Sequence, residues 1–330
     1  MIRKEEMRTA VLNKIKYQSK ISDLKISCYL AAFNAISKEA PLLPNPKECI
    51  GKTPLKEALE EINDTIPNIS LLRFYLEKPD VFELHTDTLT LLHWLLVRLH
   101  EPHLVILREL EDVVLDCDYE KIVNKVTGDR MKKPDLTLKF NYCPMSTVNV
   151  NWKSKVRNKK THYGYTPVRL QDLHSVIHRG PKGLENKGCL GYGLTLCSEL
   201  RYAIENAEEY WVWGKSSLAS KLSAVLAVEF VDSSHAVLRL ARSQPVYFII
   251  SEPEFARIRY LLLWIKSPPA KLPILQKCLT IDMGVHQRIL TNMLLILIFL
   301  LLPKRSPTFL QKGIERTFSL LKDRFFHHNQ

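Results

Sequence analysis

The sequence predicts an α+β protein, with a helical part first and a mainly antiparallel sheet domain after it. Up to about residue 115 the apolar residues recur at helical spacing. Near Thr127-Gly128 the texture changes, and short runs rich in β-branched and aromatic residues follow. Few long helices separate those runs, which argues against the regular strand–helix alternation of a doubly wound sheet.

In the helical part, Ile26, Tyr29, Leu30, Phe33 and Ile36 form an apolar stripe. Pro41, Pro44 and Pro46 interrupt it, because proline lacks an N–H and fixes φ. A second helix is expected with Thr53 as N-cap and Pro54 at its first position, continuing through Leu55, Ala58 and Leu59. Residues 91–99, LLHWLLVRL, are apolar on nearly every side, so burial is expected, with Glu101-Pro102 as the stop. A further helix is expected over 109–123, where Leu110, Val113, Val114 and Leu115 cluster. In the sheet domain, DLTLKFNY (135–142) alternates as a half-buried strand does. SAVLAVEFV (223–231), VYFII (246–250) and ARIRYLLLWIK (256–266) read as strands, preceded by a helix over 198–210. Pro268-Pro269 closes the domain and opens a linker.

The chain has 330 residues, 46% hydrophobic and 25% charged, a composition that supports a normal core in one large domain or two ordinary ones. Its formal charge of +12 suits an anionic partner. The densest basic run, KSKVRNKK (153–160), has no interleaved aromatic residue on which a base would stack. It is expected to be a solvated loop, with an anion-binding role as the alternative, and nucleic acid is not the expected partner. Seven cysteines are scattered without a CxxC pair, which reads as reduced thiols facing the cytosol and argues against a zinc site. His174 and His178 share a helix face but lack a third ligand at matching spacing, so packing is their expected role and no metal is expected. Gly183, Gly188, Gly191 and Gly193 lack the strand–loop–helix context of a dinucleotide fingerprint. The sequons at Asn63 and Asn68 matter only in a secretory lumen.

The first sixteen residues are charged throughout and carry no signal-peptide pattern. Residues 289–302, ILTNMLLILIFLLL, are uncharged and flanked by Arg288 and Lys304, which can snorkel. As a helix the run covers about 21 Å, against a hydrocarbon core of about 30 Å. The pattern alone leaves a short membrane anchor and a buried core helix equally open. Residues 309–326, FLQKGIERTFSLLKDRFF, read as a basic amphipathic helix, either on a membrane surface or in a soluble setting.

Four colinear segments carry a family resemblance: RLQDLHSVIHRG (169–180), GYGLTLCSELRYAI (191–204), SAVLAVEFVD (223–232) and VYFIISEPEFARIRYLLLWIK (246–266). They resemble the catalytic domain of the poly(ADP-ribose) polymerase superfamily, in particular a small tail-anchored mono-ADP-ribosyltransferase of the endoplasmic reticulum. DLKISCYLAAFNAI (23–36), TIPNISLLRFYL (65–76), LTLLHWLLV (89–97) and KKPDLTLKFNY (132–142) extend the resemblance into the helical half. It implies a helical regulatory domain over 1–125 and an ADP-ribosyltransferase catalytic domain over 126–267. A linker over 268–288, a transmembrane anchor over 289–302 and a basic tail over 303–330 would follow. The implied reaction is transfer of ADP-ribose from NAD, a co-substrate, to protein side chains. The implied setting is the endoplasmic-reticulum membrane, with the folded part in the cytosol and its protein substrates or partners there.

Cleaving NAD demands positioning and electrostatics at an oxocarbenium-like ribose centre. The resemblance assigns positions for that task. The family's histidine, which bonds the adenine-side ribose, falls on Thr166, and its glycine, whose backbone clamps the nicotinamide amide, falls on Pro167. The two tyrosines that sandwich the nicotinamide ring fall on Thr195, in Gly193-Leu194-Thr195, and on Asn206. The position at the start of a later strand, tyrosine in the small endoplasmic-reticulum member, is Tyr247, the expected catalytic residue. Thr166 keeps a short hydrogen-bonding group. Pro167 has no N–H, and a buried amide left without its partner costs about 1–3 kcal/mol. Each missing ring forfeits roughly 0.5–1.5 kcal/mol. Tyr192, Tyr202 and His162 lie nearby in sequence and are the residues that would substitute. The expectation is a mono-ADP-ribosyltransferase with a degenerate NAD site, or a membrane-anchored pseudo-enzyme that keeps the fold to bind partners.

Overall fold

The computed structural model describes residues 4–35, 46, 52–66, 68–99, 102–107, 133–184, 187–188, 191–214, 216–233, 236–240 and 245–268. All lie in one compact unit, Met1–Lys271. The helix expected over 109–123 and the linker, anchor and tail expected over 269–330 lie outside the described residues. Among the described residues no helix is long and apolar enough to cross a membrane.

The helical part begins with α1 (Lys4–Tyr17) and α2 (Ser19–Ala35). It continues with α3 (Lys52–Glu60), which runs into a π-helical turn at Glu61–Thr65. Helix α3 starts at Lys52, one residue before Thr53. Next is α4 (Ile69–Glu77), capped by Asn68, whose side chain accepts from the Leu71 N–H at 2.9 Å. That role holds Asn68 almost fully buried, so its sequon serves the helix. Last comes α5 (Thr86–His93), extended by the π-helical turn Trp94–Arg98. Leu91, Leu92, Trp94, Leu95 and Leu96 are all buried, as the uninterrupted apolar run predicts.

Helix α2 departs from the expected one-sided stripe. Ile26, Tyr29, Leu30 and Ala32 pack into the helical core, whereas Ile21, Leu24 and Cys28 pack into the core of the sheet. A helix between two layers must be apolar on two sides, which a single periodic stripe cannot reveal. Its Asp23 is wholly buried and accepts from the Ser216 hydroxyl at 2.6 Å, the Ser217 N–H at 2.8 Å and the Ser217 hydroxyl at 2.6 Å. Burial raises this carboxyl's pKa, and the serine bonds oppose the rise.

The main sheet runs, in chain order, through β1 (His103–Ile106), β2 (Leu136–Asn141), β3 (Thr161–Pro167), β6 (Leu194–Cys197), β7 (Tyr210–Trp211), β8 (Lys221–Val231), β9 (Val237–Leu240), β10 (Tyr247–Ile250) and β11 (Ala256–Ser267). A separate hairpin pairs β4 (Lys187–Gly188) with β5 (Gly191–Tyr192). The spatial order is β1-β2-β11-β8-β3-β6-β10-β9, with β7 against β8, and every pairing is antiparallel. Strand β2 was expected to be half-buried, but Thr137 is buried too, because both faces of the sheet are covered. The long apolar strands β8 and β11 are central for the same reason.

Among the described residues, α6 (Thr147–Val156), α7 (Leu170–Arg179) and α8 (Leu200–Glu205) complete the sheet domain. Helix α7 packs against α2 on one face, where Leu196, Leu226 and Val228 are buried. Leu200 and Ala203 of α8 cover Tyr165, Val225, Ala227, Tyr260, Leu262 and Trp264 on the other. His174 is buried in α7, edge-on to Tyr29 at 5.0 Å and to His178 at 5.1 Å, so it joins the helical part to the sheet. Two expectations need correction. The basic run 153–160 is not all loop: it forms the last turn of α6 and the bend after it, because Ser146 caps the helix and Trp152 buries one face. The helix expected over 198–210 stops at Glu205, and Tyr210 instead pairs with Leu222 in β7.

Candidate functional site

Tyr247 opens β10 and pairs directly with Cys197 of β6. Cys197 pairs on its other side with Tyr165 of β3, Tyr165 with Ala227 of β8, and Ala227 with Tyr260 of β11. Directly paired residues point to the same side of a sheet, so these five form one row across five strands, on the face that α8 covers. Tyr247 is partly exposed at the outer end of the row. Burial raises its phenol pKa, helped by the neighbouring Cys197 and Tyr202. Burial also raises the Cys197 thiol, against a bond from the Glu199 N–H.

Thr195 and Pro167 share this face. Thr195 lies two residues before Cys197 and pairs with Ile249. Pro167 lies two residues after Tyr165 and pairs with Val225 of the same face. Carrying the Tyr165–Cys197 register two residues on sets Pro167 level with Thr195. Asn206 ends α8: its side-chain amide donates to the Tyr202 carbonyl at 2.7 Å, and its backbone N–H donates to the same oxygen at 3.2 Å. This double bond to one carbonyl closes the helix after six residues. Asn206 is thus one turn from Tyr202, whose phenol neighbours Tyr247.

Thr166 stands apart. It pairs with Leu226, which belongs to the core on the opposite face, and its hydroxyl lies 3.3 Å from the Pro167 carbonyl oxygen. His162 lies four residues earlier on β3, paired with Phe230, and its Nε2 is 3.3 Å from a carboxylate oxygen of Asp232. Between them Gly164 approaches β6 so closely that a Cβ would stand 2.7 Å from the Leu196 Cβ. Tyr192 is the last residue of the β4–β5 hairpin, immediately before Gly193. Gly193 has φ +126°, and a Cβ there would lie 2.5 Å from the Ile250 carbonyl oxygen. Glycine is therefore needed to turn the chain from the hairpin into β6, which then presents Thr195. Among the described residues no cluster of histidine, cysteine, aspartate or glutamate has the arrangement of a metal site.

Tyr165 and Cys197 are members of the row that sequence reasoning missed. Their signal was the strand alternation itself, two residues from Pro167 and two from Thr195. Substrate chemistry at this face would rest on phenols, a hydroxyl and backbone groups.

Tyr247 at a strand start and the glycine-led turn into β6 thus stand on neighbouring antiparallel strands. The chain is homologous to the poly(ADP-ribose) polymerase superfamily. A protein mono-ADP-ribosyltransferase of Homo sapiens, PARP16, is 27% identical over 179 residues, a match covering 47% of this chain and 55% of that protein. Its Mus musculus counterpart is 24% identical over 179 residues with the same coverage. The match thus spans about half the length of the curated relatives. No family model matches the chain.

Proposed function

We propose that this protein is an NAD-dependent protein mono-ADP-ribosyltransferase whose NAD site has been weakened by substitution. The observation that carries the proposal is Tyr247, level with Cys197 on the strand beside Thr195 and next to Tyr202. In this reading Tyr247 meets the substrate at the reacting ribose, while Pro167, Thr195 and Asn206 line the nicotinamide side. Thr166 would contact the adenine-side ribose only from the strand end, since its side chain starts on the other face. The lost amide clamp and the two lost rings together remove several kcal/mol of NAD affinity, without strict additivity. We also place the protein at the endoplasmic-reticulum membrane, anchored through residues 289–302, with protein substrates on the cytosolic side.

A second reading has one specific observation in its favour. Pro167 presents no N–H at the position where the family's glycine would clamp the amide. A pseudo-enzyme that keeps the fold to bind partner proteins would tolerate that change.

Calorimetric titration of NAD into the full chain, alongside Thr166→His/Pro167→Gly/Thr195→Tyr, separates the two. Binding to the native chain supports the enzyme reading. Binding regained only in the triple variant leaves the pseudo-enzyme.

A further inference from the structure

From Leu136 to Gln171 the sequence contains no acidic residue, and the middle of that stretch forms α6 and the bend after it. Asn149 and Trp152 are buried and hold α6 against the domain. Its remaining surface combines two features. Lys153, Arg157, Lys159 and Lys160 are exposed and Lys155 is half-exposed. Met145, Val148 and Val150, at 84%, 57% and 49% exposure, lie beside them. Val148 precedes Lys155 by seven residues on one flank of α6 and Val150 precedes Arg157 by seven on the other, so each valine sits two helical turns before a cation and the two pairs border the exposed face. Asp232 pairs with His162 and Glu254 with Lys182. Among the described residues no ion pair reaches these five cations. Lys155 and Lys159 lie over the Phe255 ring, at 4.4 and 5.4 Å from its centre, which fixes their side of the cluster.

We infer that α6 and the bend after it are a docking surface for an anionic lipid bilayer. Five cations without an ion pair among the described residues match a negatively charged leaflet, and each one near such a surface contributes roughly fivefold to partitioning. The exposed methionine and valines are the apolar component that enters the headgroup boundary. A single-stranded nucleic acid would instead need exposed rings for stacking. The tryptophan here is buried, and Phe255 lies beneath two lysines. This surface is separate from the Tyr247 face and does not depend on catalysis or on the anchor proposed above.

The test is amide hydrogen exchange of the full chain on phosphatidylcholine vesicles with and without phosphatidylserine. Exchange over 145–160 is expected to slow at least about fivefold on the anionic vesicles alone, and to recover at high salt. The slowing is expected to disappear in Lys153→Gln/Arg157→Gln/Lys160→Gln and in Met145→Ser/Val148→Ser/Val150→Ser, with exchange in β8 unchanged as the folding control. Equal exchange on both vesicle types overturns the inference, and needs only the native chain. Undiminished slowing in the serine variant overturns the bilayer as occupant, as does slowing by a single-stranded RNA oligonucleotide without slowing by vesicles.

Discussion

Asn206 gives its side-chain amide to the backbone carbonyl of Tyr202 at 2.7 Å, at the C-terminal end of α8. Asn206, which the proposed function sets on the nicotinamide side, is here a helix terminator. Asn206→Ala should therefore cost roughly 0.5–1 kcal/mol in denaturant unfolding, the worth of one exposed hydrogen bond. Asn206→Tyr combined with Thr195→Tyr should tighten NAD binding about tenfold in calorimetry, because each ring adds roughly 0.5–1.5 kcal/mol. No gain in affinity would mean that the nicotinamide does not lie on this face.

Tyr247→Phe tests the reacting end of the proposed site. Turnover of NAD should fall at least about tenfold while affinity changes less than about threefold, the pattern of a contact made chiefly in the transition state. Equal turnover in the two proteins would reduce Tyr247 to a packing residue of the strand edge.

Lys25 predicts a pH dependence of stability. Its ammonium donates to the Leu99 carbonyl at 2.7 Å, and its pKa is lowered from 10.5 to about 8, first by burial and then by the charge of Lys14. Between those values the unfolded chain binds more protons than the folded one, so this group's contribution to stability rises with pH across that window. Lys25→Met should flatten the rise and stabilise the protein at pH 7 by about 1–2 kcal/mol. Denaturant melts across the window would decide it, and an unchanged slope would assign the effect to another group.

Trp213 should be the costliest single truncation. Its ring belongs to the helical core, its indole N–H donates to the Ile62 carbonyl at 3.3 Å, and its backbone N–H donates to the Ser27 hydroxyl at 3.3 Å. Trp213→Ala should destabilise by roughly 3–5 kcal/mol and raise hydrogen exchange in α2 and α3 together. A loss confined to the loop around residue 213 would contradict that coupling.

Gly193→Ala should cost at least about 1–3 kcal/mol, since φ +126° is a glycine conformation and the added methyl meets a backbone carbonyl. Thermal unfolding reads the loss directly.

Much of the architecture was legible in the residues themselves. Period-two alternation marked β2, and the uninterrupted apolar runs marked β8, β11 and the buried Leu91–Leu96 segment, because strand and helix periodicities are local properties of the chain. What only the tertiary structure decided is which of these residues share a face. Strand register puts Tyr247, Cys197, Thr195 and Pro167 on one side and starts the Thr166 side chain on the other. It also makes α2 a two-sided core helix and turns half of a basic run into the exposed end of α6. The reason is physical: periodicity is set by neighbours along the chain, whereas a face is chosen by which strands and helices pack across it.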